Sequence, residues 1–168
     1  MKKLVWFFFL MTFYAQAQTT NYQVYSVYVV SIAKYSAWPV SETKEFKITV
    51  FGKSKVYDEL VKGTANKDIG GKKIVVSQAD QIPSTDESQI IYVSDGKSSQ
   101  LADLVKTFAG KPVMIIAERE GLYKKGANFS FVVLDNNTLR FDINKTELES
   151  SHQIKISKNL VVLANETI

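Results

Sequence analysis

Two triplets, Gly52-Lys53-Ser54 and Gly96-Lys97-Ser98, have the residue types and spacing best suited to holding a ligand. Each follows an apolar, β-rich run and precedes a helical pattern. Such a loop presents a lysine and unpaired helix N–H groups at the carboxyl end of a strand, where open α/β sheets hold anions. A nucleotide-binding loop of the Walker type also needs a glycine at its head, and Lys47 stands there instead. The remaining reading is a small-anion or nucleotide site at Lys53, Ser54, Lys97 and Ser98. It stands against ordinary turn-and-cap use of the same residues.

Catalytic chemistry finds little else to use. His152 is the single histidine and the chain has no cysteine, so thiolate, disulfide and His/Cys metal chemistry lack their groups. His152 follows a short helical pattern in a polar stretch and is expected at the surface or at a helix cap. Glu118, Glu120 and Asp142 are expected to face solvent from strands or loops, which leaves a glycosidase-like carboxylate pair without support. Arg140 and Asp142, two apart on one strand, either pair with each other or meet a partner. No catalytic residue, metal or cofactor is expected.

The elements that position these groups read clearly in places. Residues 20–37 carry Tyr25, Tyr28, Val29, Ile32 and Tyr35 at helical spacing, opened by a Thr20/Gln23 capping box and stopped by Trp38-Pro39. A strand over 46–51 leads to a helix opened by Ser54 and stopped by Gly63. A strand over 73–77 follows the Gly70-Gly71 turn. The pattern repeats with a strand at 89–94, a helix capped by Ser98 or Ser99 and ended by Gly110, and a strand at 112–117. Two strand–helix–strand units predict a mostly parallel sheet. Phe129, Phe131 and Val133, then Leu139, Phe141 and Ile143, alternate on either side of Asp135-Asn136-Asn137 and predict an antiparallel hairpin. Asn144 and Ser157 cap two last helices. The expected architecture is one α/β domain, a mostly parallel sheet of about six strands with flanking helices and that hairpin at its end.

Residues 1–17 read as a secretory signal: Lys2-Lys3, an apolar run from Leu4 to Tyr14, and Ala15-Gln16-Ala17 as the cleavage site. The run is shorter than the roughly 20 residues a membrane span needs. Residues 18–168 then form the folded chain, and half of the formal net charge of +4 leaves with Lys2 and Lys3. The remaining charges are dispersed, which argues against a nucleic-acid surface. An edge strand, or a patch made by Tyr25, Tyr28 and Tyr35, offers a route to a homodimer.

The order of motifs resembles the YfiR family. Lys34-Tyr35-Ser36-Ala37-Trp38-Pro39 is similar to the family's Trp-Pro ending of the first helix. Gly126-Ala127-Asn128-Phe129-Ser130-Phe131, Leu139-Arg140-Phe141-Asp142-Ile143-Asn144 and Ile156-Ser157-Lys158-Asn159-Leu160-Val161-Val162-Leu163-Ala164 are similar to its tail blocks. The resemblance covers residues 22–164. It implies a periplasmic, non-enzymatic regulator that binds the extracytoplasmic domain of a membrane diguanylate cyclase or sensor kinase. Trp38, Pro39, Arg140 and Asp142 are the residues it offers as partner contacts. Cysteine pairs common in relatives are absent, with Ser88 and Gln89 at one such place, so redox control is not implied. Asp142 replaces the usual glutamate, which shortens the reach of a group expected to point outward.

Overall fold

The computed structural model describes residues 21–83 and 88–168. The segment read as an export signal, and Thr20 of the capping pair, lie outside the described residues. In chain order the first elements are α1 (Tyr22–Lys34), β1 (Ser36–Ala37), β2 (Glu45–Phe51), α2 (Val56–Thr64), β3 (Asp68–Ile69) and β4 (Lys72–Ala79). There follow β5 (Ile90–Val93), a 3-10 turn at Asp95–Gln100, α3 (Leu101–Thr107) and β6 (Met114–Ala117). The chain closes with β7 (Phe129–Val133), β8 (Leu139–Ile143), α4 (Lys145–Ser150), β9 (Lys155–Ile156) and α5 (Lys158–Leu163).

Seven strands form one sheet in the order β3-β4-β2-β5-β6-β7-β8, parallel from β4 to β7 with antiparallel pairs at both ends. The six strands read from the sequence are all present, and β3 is added at one edge. Every residue of β5 and β6 is buried, so these strands need cover on both faces. One face packs Ile48, Val50, Tyr92 and Ile116 against Val29, Ile32 and Leu60 of α1 and α2. The other packs Phe51, Ile91, Val93 and Ile115 against Leu101 and Leu104 of α3.

The hairpin β7–β8 alternates as its sequence predicts, with Phe131 opposite Phe141. Its aromatic side receives α1. The Tyr25 and Phe131 rings lie 4.8 Å apart, the Tyr28 and Phe141 rings 5.6 Å apart, and the Tyr28 hydroxyl donates to the Leu139 carbonyl at 3.0 Å. The expected exposed tyrosine patch is therefore corrected. Tyr25 is in the core and Tyr28 lies over the hairpin, leaving Tyr35 as the one of the three that is half open to solvent.

Several local readings shift for physical reasons. α1 stops at Lys34, because the Ser157 N–H donates to the Tyr35 carbonyl and Ser36–Ala37 pairs with β9 instead of continuing the helix. Gly63 lies inside α2; the turn after it is made by Ala65 and by Asn66 at φ 59°. Neither Ser98 nor Ser99 caps α3. The chain winds into a 3-10 turn earlier, and the Lys97 N–H donates to the Ser94 carbonyl. Asn144 and Ser157 do cap their helices, accepting from the N–H groups of Glu147 and Leu160.

The edge at β8 is not open. The Asn165 N–H donates to the Phe141 carbonyl, the Ile143 N–H to the Glu166 carbonyl, and the Ile168 N–H to the Ile143 carbonyl. With Tyr28 on Leu139, the tail shields the backbone groups through which an edge strand would recruit another chain. Removing residues 165–168 is expected to convert this edge into a self-association site. Light scattering on the eluting peak should show the truncated chain shifting to larger species with concentration, while the full chain does not.

Candidate functional site

Chain order places the topological switch point between β2 and β5: the connection after β2 runs to β4 on one side, and the chain then crosses back to β5 on the other. The crevice above the carboxyl ends of such a pair is the usual ligand position in an open α/β sheet. Both Gly-Lys-Ser loops arrive there, as the sequence predicts. Their side chains are engaged with the protein to different degrees.

Gly52 sits at φ +92°, and a Cβ on it would collide with the Ser94 Oγ and come within 2.5 Å of the Lys97 Cγ. The glycine is required because Ser94 and Lys97 lie where its side chain would be. Ser94 is buried and donates to the Phe51 carbonyl at 2.8 Å. The Lys97 stem lies over Gly52, and its ammonium donates to the Asp80 carbonyl at 2.5 Å and sits 5.2 Å from the centre of the Phe51 ring. Lys97 is thus engaged with the protein's own groups. Ser98 is buried and its hydroxyl meets no partner among the described residues. Ser54 donates to Glu118 at 3.1 Å, so of the four residues read as an anion site only Lys53 stands free in solvent.

Glu118, expected to face solvent, is half-buried at the end of β6. Its Oε2 accepts from Ser54 of the first loop and from the Tyr92 hydroxyl of β5, each at 3.1 Å. Burial raises its pKa above the usual carboxylate value, partly offset by those two donors. Tyr92 is fully enclosed; burial and the neighbouring Glu118 push its phenol well above its ordinary range, so it remains a donor. The cluster ties the ends of β5 and β6 to the β2–α2 loop. Glu120 faces solvent as expected. Beside the cluster, exposed Arg119 forks onto exposed Asp95 at 2.7 and 3.3 Å, and that hydrogen bonding lowers the Asp95 pKa.

The other sequence-selected residues scatter. Trp38 and Pro39 lie at the opposite, amino end of the sheet, with the Trp38 ring edge-on to Phe46 at 4.9 Å. Arg140 is half-exposed near the carboxyl end, opposite Val132. Asp142, expected to point outward, is only 4% exposed and accepts from the Asn165 amide at 2.9 Å. It holds the tail against β8. His152 is also corrected: it is 1% exposed, and its Nδ1 lies 2.7 Å from the Lys111 carbonyl. A carbonyl only accepts, so the proton is on Nδ1. Ser88 extends a hydroxyl chain, 2.6 Å from the Thr49 Oγ1, which is 3.0 Å from the Ser77 Oγ.

Two substitutions test this account. Gly52→Ala is expected to cost about 2 kcal/mol or more, read by chemical denaturation, because both the backbone and the packed Lys97 oppose a Cβ. Glu118→Gln tests the carboxylate. A folded-state pKa above the unfolded value means Glu118 favours folding at low pH, and that contribution is lost as pH rises through the raised value. The wild-type minus Glu118→Gln stability difference should therefore decline on going upward from about pH 4.5. A flat difference across that window would remove the claim.

Comparison with solved structures returns the same fold at low identity. The ABC domain from Streptococcus pneumonia in complex with L-Trp superposes with a TM-score of 0.50 at 10% identity, covering 74% of this chain and 55% of that one. A conserved domain protein from Vibrio cholerae O1 biovar El Tor gives a TM-score of 0.54 at 13% identity, covering 85% and 60%. The chain therefore spans little more than half the length of these solved chains, and the likeness is one of fold. The comparison with curated proteins finds no match. The YfiR/HmsC-like family model matches residues 22–165. That match runs from the first helix to the tail that seals β8, and the chain belongs to the YfiR/HmsC-like family.

Proposed function

We propose that this protein is a periplasmic, non-enzymatic regulator that binds the extracytoplasmic domain of a membrane-bound diguanylate cyclase and restrains it. The observation that carries the reading is family membership over residues 22–165, since the family is one of regulators of such cyclases. Among the described residues no helix is long and apolar enough to cross a membrane. A sensor kinase is the other receptor class that fits.

The contact residues come from two ends of the molecule. Pro39 and Val40 are exposed at the amino end, and Arg140 is half-exposed near the carboxyl end. Asp142 contributes from beneath, through Asn165 and the tail. A receptor domain of ordinary size engages one end, so single charge changes at Val40 and Arg140 distinguish them.

Deleting the gene is expected to raise cellular cyclic-di-GMP and surface attachment. The tagged protein is expected to capture an inner-membrane cyclase, with either Val40→Asp or Arg140→Glu abolishing capture while leaving the melting temperature within a few degrees. Unchanged cyclic-di-GMP in the deletion strain, with no membrane receptor recovered, would dispose of the cyclase reading.

A further inference from the structure

We propose that the cavity behind Trp38, at the amino end of the sheet, binds a small amphipathic carboxylate. This goes beyond the receptor reading and does not rest on it. The cavity measures about 500 Å³ and is roofed by the irregular segment 38–44. Its size falls in the range of small-molecule pockets, and it lies at the end of the sheet away from the switch-point crevice.

The walls set the apolar half of the ligand. Trp38, Phe46, Ile69 and Pro112 line the cavity, and Val40 stands fully exposed at its rim. The polar groups set the other half. The Trp38 Nε1 is sealed from solvent and so takes no part in the cavity; the indole contributes apolar wall only. Lys72 contacts only neutral oxygens among the described residues, the Ser41 carbonyl at 2.9 Å and the Thr43 Oγ1 at 3.3 Å. Its charge thus meets no carboxylate there. Gln89 also lines the cavity; its side-chain carbonyl is taken by the Lys47 N–H at 2.6 Å, which leaves its amide NH₂ as a donor. The nearby hydroxyls are already engaged: Ser36 donates to the Ile32 carbonyl, Ser41 pairs with Thr43, and Ser88 with Thr49. The cavity offers one amide donor and one cation. A molecule with an apolar body and a carboxylate head answers both, and a cationic or purely apolar molecule answers only one.

Octanoate is the probe. In the full chain carrying Trp6→Phe, Trp38 is the sole tryptophan and reports on the cavity by its emission. Octanoate is expected to change that emission saturably, with octylamine and 1-octanol each binding at least about tenfold more weakly. Lys72→Met should lower octanoate affinity about tenfold while leaving 1-octanol unchanged. Lys72→Gln, which keeps a polar side chain and removes the charge, should likewise weaken octanoate binding measured by titration calorimetry, and it serves alone if Lys72→Met does not fold. Absence of saturable octanoate binding, equal binding of octylamine, or affinity untouched by the folded variants overturns the proposal. None of these measurements needs a receptor, so they fail or succeed independently of cyclase capture.

Discussion

The structure depends on burying β5 and β6 on both faces at once. Neither strand has a polar position to turn toward water, so a helix layer is obligatory on each side of the sheet. That constraint explains the crossover connections, because parallel neighbours must be joined by segments long enough to pass over a face. It also explains the unlike ends of the sheet. At β3 and β8 the strands turn antiparallel, since hairpins can form where no further layer has to be crossed.

The same connectivity creates a crevice at the switch point, where Ser94 and Lys97 pack onto Gly52. Ser94 and Lys97 press onto Gly52 so closely that no side chain fits there. A glycine followed by lysine and serine looks, by residue type, like a loop for phosphate. Here its glycine answers to steric closure, and its lysine to the Asp80 carbonyl and the Phe51 ring. The carboxyl end is then bound together by Glu118, whose single oxygen takes donors from two different elements. A half-buried carboxylate with neutral donors and no paired cation is costly as a charge, so it is a structural tie with a pH dependence.

The surface offered to a partner is correspondingly shaped by what has been sealed. The β8 edge is covered along Phe141–Ile143 by the tail, and its start by Tyr28. Asp142 and Asn165 fix the tail from the hairpin face opposite Phe131 and Phe141. Exposed side chains include Pro39, Val40, Val162 and Leu163, with Arg140 half-exposed, and at the other edge of the sheet β3 pairs with β4 only at Lys72 and Lys73.

Periodicity and caps made the strands, the hairpin, the helix starts at Asn144 and Ser157, and the family legible from the sequence, because those signals act between residues a few positions apart. Tertiary structure alone decided the fate of the ionisable and polar side chains. Asp142 is buried because Asn165 folds back over it from 23 residues away, and His152 because Lys111 lies 41 residues earlier in the chain. β1 exists only because β9 arrives beside it. An alternating strand tells which face a residue takes, but not whether that face will later be covered. Burial of a polar group is settled by whichever distant segment supplies its hydrogen bond, and no local pattern encodes that arrival.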